Sequence, residues 1–296
     1  MNRTLLGDQL GLAALLVLLF LLAGAELWRP LHAYPSEPKG RIPANLLMGL
    51  INAGLALLLP VSTILAAEWA ARHGVGLMNW APPPLLAAIA ATVALRSLAT
   101  YAIHRLSHRL PWLWRIHRVH HSDTLLDLST GLRNHPLELA FVLPWLIGAS
   151  IVFGLHPPTL IVYEGVALAF ALWDHANLNL PPALERPLRL LFVTPDMHHV
   201  HHSAARAETD SNYGDVVSIW DRLFGTFRAL DRQALRGMRI GLGDAFDPGA
   251  ASLVHQLRLP VLNPAASSES RQEGGEIGAE RVDRIAALHH DEGRHP

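Results

Sequence analysis

The chain has 296 residues, half of them hydrophobic and 17% charged, with a formal net charge of −1. Near-neutrality gives no electrostatic support for a nucleic-acid partner. The absence of cysteine excludes disulfides, iron–sulfur clusters, thiolate metal sites and cysteine nucleophiles. The composition instead fits a chain that buries apolar surface in lipid, and it carries 18 histidines.

Leu10–Leu27 is apolar apart from Glu26 and is the first candidate span. Leu10–Ala25, with Arg3 upstream and Ala23-Gly24-Ala25 at its end, also resembles a cleavable signal peptide. Asp8 and the closely following second apolar run count against that reading. Asn45–Ala67 is apolar and contains Pro60, which predicts a kink. Leu85–Ile103 is apolar except for Arg96, close enough to one end to snorkel. Leu137–Leu155 and Thr159–Trp173 flank His156-Pro157-Pro158. The second of these is short against the roughly 17–25 residues of a span, so the pair is expected to form a helical hairpin entering and leaving from one side.

Charges between these runs give an orientation. Arg29, Lys39 and Arg41 follow the first run, and Arg105, Arg109, Arg115, Arg118 and Arg133 follow Ile103, whereas Ala70–Pro84 carries Arg72 alone. The first and third connections are therefore expected to be cytoplasmic. A hairpin over Leu137–Trp173 returns the chain to the same side, which puts both histidine-rich segments together.

From His175 to about Leu230 the sequence is polar, with Tyr213, Trp220, Phe224 and Phe227 available for packing. After Pro264 the Ala-Ser-Ser-Glu-Ser run and Gly274-Gly275 predict a disordered tail. His255, His289, His290 and His295 lie in or near that tail and read as solvated. The domain reading is residues 1–84 as N-terminal transmembrane helices, 85–232 as a catalytic domain, and 233–296 as a largely disordered extension.

Three histidine clusters carry the chemistry. His104-Arg-Leu-Ser-His108 begins where the third apolar run ends, and on a helix its two rings lie one turn apart on one face. Alone, such a pair reads more readily as two interfacial histidines. His117-Arg-Val-His120-His121 adds an i, i+3, i+4 set, and the same spacing recurs at His198, His201 and His202. Imidazoles in an apolar setting must find partners or stay neutral, and a metal satisfies many at once. Eight are too many for one ion, since zinc takes four ligands or three and a water, so the count suits two metals. Imidazole accepts Zn, Cu, Fe and Ni alike, which leaves the element open.

His175 follows the fifth apolar stretch at the expected membrane face and is a further candidate ligand. His135 stands undecided between ligand and structural residue. His199 points off the shared helical face, so it is placed behind the ligands, and His156 lies in the hairpin turn, away from them. Asp123, Glu138, Asp174, Asp196 and Asp215 are candidate acceptors for the outer N–H groups of ligating rings.

The three clusters, with Arg133-Asn134-His135-Pro136, Asn212-Tyr213-Gly214 and Ile219-Trp220-Asp221-Arg222-Leu223-Phe224-Gly225-Thr226, resemble the fatty acid hydroxylase/sterol desaturase superfamily of membrane proteins over roughly Ala94–Leu230. The resemblance implies an all-α integral membrane protein of about four transmembrane helices or a helical hairpin, with a cytosolic helical cap carrying a dimetal site. It implies a non-haem di-iron centre, O₂ as oxidant, and hydroxylation or desaturation of a lipid. It carries ligand roles onto His104, His108, His117, His120, His121, His198, His201 and His202, with His175 beside them. It gives the Trp220 run a packing role beneath the metals. The chain shows no Gly-x-Gly-x-x-Gly fingerprint, so electrons are expected from a separate cytochrome, ferredoxin or pterin. A membrane zinc hydrolase is the rival enzyme, and it lacks its His-Glu-x-x-His here. A metal transporter or haem carrier is the non-enzymatic rival. Transporter ligands belong near mid-membrane, whereas these clusters lie beyond the span ends.

Overall fold

Residues 3–34, 36, 38–243 and 247–262 are described by a computed structural model. Their regular elements are all helical, apart from two isolated antiparallel bridges, Phe192 to Val217 and Ser203 to Ile240. The expected tail after Pro264, with His289, His290 and His295, lies outside the described residues.

Helix α1 (Arg3–Trp28) leads to α2 (Arg41–Leu58), α3 (Thr63–His73) and a single turn, α4 (Leu77–Trp80). Pro60 breaks the second apolar run outright instead of kinking it. Leu59–Ser62 is not helical, because Pro60 has no N–H to offer and its ring clashes with the preceding turn. Ser62 then restarts the chain by accepting from the N–H of Leu65 at 3.1 Å. Helix α5 (Leu85–Arg109) follows three prolines and ends at Leu110, whose backbone is extended (φ −90°, ψ 117°). Pro111 disfavours helix in the residue before it and itself occupies the first position of α6 (Pro111–His121). The chain turns there, and α6 folds back on α5, so that the first two histidine clusters face one another.

Two short 3₁₀ turns, Leu128–Leu132 and Pro136–Glu138, lead to α7 (Leu139–Phe153) and α8 (Pro157–His175). These two join through Gly154–His156, and both pack on α3 and α5. Arg96 does not snorkel. It is 5% exposed and grips Glu164 of α8 through two bonds of 3.0 Å, the bidentate geometry that suits a guanidinium. The remaining helices are short: α9 (Pro182–Leu188), α10 (Pro195–His201), α11 (Arg206–Thr209), α12 (Ile219–Leu223), α13 (Arg232–Gly237) and α14 (Leu253–Arg258).

Three stretches are long and apolar enough to cross a membrane: Arg41–Trp80, Leu85–Arg109 and Pro136–Phe153; Ala13–Trp28 is a shorter apolar helix. Their outer faces expose Phe20, Leu57, Leu58 and Leu86, each about four-fifths exposed or more, a pattern that suits lipid and not water. The packed body continues beyond residue 232. Leu235 packs with Leu31 and Val200, and Leu242 and Leu259 pack with Met48 and Val119. Residues 233–243 and 247–262 thus belong to the core that supports α6 and α10, and the expected boundary at 232 does not mark its end.

Several loop charges counted for orientation are internal. Arg41, Arg118 and Arg133 are each at most 2% exposed. Arg133 bonds Val119 O (3.0 Å), Asn45 Oδ1 (2.9 Å), Ser122 Oγ and Ala250 O (both 2.7 Å). Arg118 holds the carbonyls of Leu259 (2.6 Å) and Leu262 (2.9 Å). The topological signal accordingly rests on fewer charges, Arg105, Arg109 and Arg115 among them.

Candidate metal centre

The nine expected ligands converge from four helices into two groups. His104, His108, His117, His121 and His201 form one, and His120, His175, His198 and His202 the other; within each, the candidate nitrogens lie within 4.8 Å of one another. Helix α5 supplies two rings to the first group and α8 one to the second. Helices α6 and α10 each contribute to both. Their i and i+4 positions (His117 and His121; His198 and His202) share one group, while i+3 (His120; His201) reaches the other. At 3.6 residues per turn, i+3 and i+4 fall on opposite flanks of position i, so each His-x-x-His-His helix straddles the two groups. His121 and His202 stack across the boundary with centroids 4.6 Å apart.

The outer nitrogens fix which way several rings present their lone pairs. His175 Nδ1 lies 2.6 Å from Ala171 O, His201 Nδ1 2.6 Å from Ser211 O, and His104 Nδ1 2.9 Å from Tyr213 O. A carbonyl can only accept, so each Nδ1 carries the proton of a neutral ring and each Nε2 is a bare lone pair. His117 Nδ1 faces Glu138 at 3.2 Å, and His108 Nδ1 faces Asp210 at 3.4 Å. Burial lowers the pKa of His120, His121, His198 and His202 well below the usual histidine value, with neighbouring rings adding to the effect. His201 is lowered to about 3, again chiefly by burial. These five rings are therefore neutral imidazoles.

These contacts do not form a self-sufficient hydrogen-bond network. His175 Nε2 lies 3.1, 2.9 and 3.2 Å from Nε2 of His120, His198 and His202, and His198 and His202 are 3.2 Å apart. Having no proton, His175 Nε2 offers one lone pair to three neighbours. In the other group Nε2 of His104, His108 and His201 is buried with no partner. Ligands about 2.0–2.1 Å from a tetrahedral ion stand about 3.3 Å apart. The spacings and the lone pairs fit metal ions, and the all-imidazole donor set suits a transition metal.

The scaffold that aims these rings explains the sequence runs around them. Asn212 adopts a left-handed backbone (φ 51°), which asparagine tolerates better than most residues. Its side chain bonds Met197 O at 2.9 Å and both backbone groups of Arg228. The carbonyls on either side of it, Ser211 and Tyr213, are those that orient His201 and His104. Asp221 accepts from the N–H groups of Tyr213 (2.8 Å) and Gly214 (2.9 Å) and from Thr226, which meets Tyr101 of α5. Trp220 Nε1 donates to Ser97 of α5 at 2.8 Å. A Cβ at Gly131 would overlap the carbonyl oxygen of Ala171 and come 3.3 Å from His175 Nδ1; a larger residue would displace the turn of α8 that holds His175.

Other candidates part ways. His135 caps a 3₁₀ turn by accepting from Leu137 N (3.1 Å), and its Nε2 lies 3.2 Å from Leu257 O, outside both groups. His199 faces away, 3.1 Å from His32 and 3.4 Å from the carbonyl of His175. His156 precedes α8 and His255 lies on α14, both outside the groups. Of the five acids proposed to face ligand rings, Glu138 does so. Asp123 serves Arg41, Asn45 and Thr130, Asp196 pairs with Arg232, and Asp215 accepts from Tyr163 at 3.4 Å. Asp210, His32 and the carbonyls of Ala171, Ser211 and Tyr213 escaped sequence reasoning, because long-range packing alone brings them to the rings.

A cavity of about 210 Å³ adjoins both groups, lined by His104, His117, His120, His175 and His198 on one side. Thr100 and Ile103 of α5, Val142 of α7 and Ala171 of α8 line the remainder with Asp174 and Asp215.

Residues 89–226 match the family model described as fatty acid hydroxylase. Alkylglycerol monooxygenase from Homo sapiens is 33% identical over 140 residues, 47% of this chain and 30% of that protein. The ornithine lipid hydroxylase OlsE from Rhizobium tropici is 34% identical over 147 residues, 49% of this chain and 43% of that one. Cholesterol 25-hydroxylase from Rattus norvegicus is 25% identical over 195 residues, covering 61% and 63%. The chain thus spans less than half the length of the first two relatives. No solved structure matches it at a significant level.

Proposed function

From a fatty acid hydroxylase region at residues 89–226, we propose that this chain is a multi-pass membrane oxidoreductase that hydroxylates or desaturates a lipid with O₂ at a non-haem di-iron centre. The observation that carries the reading is the division of nine histidines, eight of them buried, into groups of five and four whose candidate nitrogens lie within 4.8 Å of one another. His104, His108, His117, His121 and His201 hold one ion, and His120, His175, His198 and His202 the other. Iron bound there supplies the O₂-activating redox chemistry that an unactivated C–H bond requires. Iron is preferred to zinc because hydroxylation is a redox reaction and zinc has no redox chemistry.

The protein's own contribution is placement and exclusion of water. Ala171, Ser211 and Tyr213 keep three rings in the tautomer that ligates, and Glu138 does the same for His117. The apolar wall from Ile103, Val142 and Ala171 receives the hydrocarbon of a lipid entering between α5, α7 and α8. Relatives named for alkylglycerol, ornithine lipid and cholesterol support a lipid substrate. Arg105, Arg109 and Arg115 beside the histidine-bearing helix ends support a cytoplasmic face for the centre. A separate cytochrome, ferredoxin or pterin then delivers electrons there. Residues 1–84 serve as membrane helices, and the catalytic unit begins at residue 85.

The test is anaerobic reduction of detergent-purified protein followed by O₂ addition with membrane lipid. Stoichiometric O₂ uptake with a hydroxylated or unsaturated product is expected. Hydrolysis products formed without O₂ uptake would overturn the reading.

A further inference from the structure

Six apolar side chains in the segment expected to form a cytosolic cap are open. Leu190, Leu191, Phe192, Ile219, Leu223 and Phe224 are 38–67% exposed, and none lies on a stretch long enough to cross a membrane. They form one patch, because the two stretches that carry them are tied together. Phe192 bridges to Val217, the N–H of Ser218 donates to Leu191 O at 3.0 Å, and its hydroxyl donates to Arg189 O at 2.8 Å. An exposed apolar patch of this kind marks a protein or membrane partner. Depth points to the membrane. Trp220 of α12 donates to Ser97 of α5 at 2.8 Å, and Phe224 stacks on Tyr101 with ring centroids 5.3 Å apart. Phe192 meets Phe170 of α8 at 5.8 Å. The apolar run of α5 ends at Ile103, and Ser97 lies six residues inside that end, about 9 Å at about 1.5 Å per residue. The patch is therefore level with the outer hydrocarbon of the leaflet and not beyond it. Charge agrees. Both acids in residues 182–193 and 216–228, Glu185 and Asp221, are buried, whereas Arg186, Arg222 and Arg228 are exposed.

We propose that residues 188–193 and 218–224 form an interfacial anchor, inserted into the leaflet on the metal-centre side, with Arg186, Arg222 and Arg228 reaching its phosphates. This rests on the reading of α5 as a membrane span, and it moves part of the cap from water into lipid. Segments that lie in an interface bury their apolar face by about 5–10 Å and combine Trp, Phe and Leu with cationic residues on the polar side. Both the depth and the composition of the patch match that pattern. Long arginine side chains reach headgroups from such a depth. A second copy docking through the same patch would set these arginines against their own counterparts, whereas anionic lipid offers them partners. Gly214 and Asp215, which line the cavity beside the histidines, come just before the second stretch in the chain. The anchor therefore holds that wall of the cavity at the level of the lipid chains.

The test uses the full chain in nanodiscs of phosphatidylcholine with phosphatidylglycerol. The chain has no cysteine, so a fluorescent label can be placed singly at Leu191→Cys and Leu223→Cys. Leu50→Cys on the exposed face of α2 serves as the lipid reference, and Ala207→Cys, beside the Arg206–Asp210 ion pair, as the water reference. Quenching by nitroxides at two positions along a lipid chain is compared with quenching by iodide in the buffer. The labels at Leu191 and Leu223 are expected to be quenched from the lipid and shielded from iodide, at a depth of about 5–10 Å below the phosphates. Leu50 should lie deeper, and Ala207 should respond to iodide alone. Iodide quenching at Leu191 or Leu223 equal to that at Ala207 would overturn the anchor and leave the membrane reading standing. Shielding of both labels from both quenchers would overturn it too, because a second copy or another part of the chain then covers the patch. Iodide quenching at Leu50 as well would overturn the membrane reading with it.

Discussion

The Arg41–Asp123–Arg133 cluster and the histidine groups are both buried, both polar and both assembled from segments far apart in sequence. The first is held together by its own opposite charges. Asp123 Oδ2 accepts from Arg41, Asn45 and Thr130, each at 2.9 Å, and Arg133 spends its donors on Asn45, Ser122 and two carbonyls. Asp123 Oδ1 is left without a partner, but charges meet counter-charges, and the result locks α2 to the loop after α6. In the histidine groups His175 Nε2, which has no proton to give, faces three other ring nitrogens at 2.9–3.2 Å, and Nε2 of His104, His108 and His201 has no partner. A buried polar cluster whose charges balance is architecture, and one of imidazole nitrogens facing one another is a place for something from outside, for which metal ions are the proposed occupants.

The comparison breaks most directly at a ligand. His120→Ala removes one nitrogen from the four-membered group and should lower lipid oxidation at least about a hundredfold, beyond the 10–100-fold typical of losing an outer-sphere partner. Product analysis by mass spectrometry with matched protein amounts checks this.

The second effect belongs to the metal-free protein and to pH. An unfolded histidine takes up its proton near 6.5, whereas burial holds His201 to about 3 and His120, His121, His198 and His202 well below their usual value. As pH falls below 6.5 the unfolded state binds more protons, so stability that is full above 6.5 drains away towards 3. The slope reaches up to about 1.4 kcal/mol per pH unit for each ring. Denaturant titrations of chelated protein between pH 7.5 and 5 measure it, and a flat profile would show that the rings are not buried neutral.

The third effect belongs to the other cluster. Arg133→Met leaves Asp123 with one guanidinium fewer in a buried site and should destabilise the fold by about 3–5 kcal/mol, seen as a lower thermal midpoint. Metal per folded chain should not change, because Arg133 touches no ring. A loss of metal from folded protein would merge the two clusters that the account keeps apart. The smallest effect is Glu138→Gln. It removes the charge behind His117 and should weaken metal affinity by about 10–100-fold, measured by competition with a chelator, with the fold intact.

Much of this was legible in the sequence because helical spacing is local information. His-x-x-x-His and the two His-x-x-His-His runs declare which residues are candidates, and Pro111 and Pro195 mark where the helices carrying two of them begin. The division between two groups was not legible: i+3 and i+4 look like one face until a second helix shows that they flank two points. Partners supplied by packing were also hidden. Asp123 reads like an acid near ligands, yet Arg41 claims it from 82 residues away. His135 reads equally as ligand or structural residue, and it caps the turn at Leu137. Arg118 and Arg133 read like cytoplasmic charges, but they hold the C-terminal segment onto α6. The carbonyls of Ser211 and Tyr213 have no side-chain signature, and only the left-handed Asn212 between them hints at their role.

The central claim is that two separable ions occupy the two histidine groups. Metal analysis of wild type, His108→Ala and His198→Ala, purified under identical anaerobic conditions with iron supplied, tests it directly. The account predicts two irons per chain in wild type and about one in each variant, with either loss leaving the other ion in place. A single ion in wild type, or wild-type metal content in both variants, would contradict it.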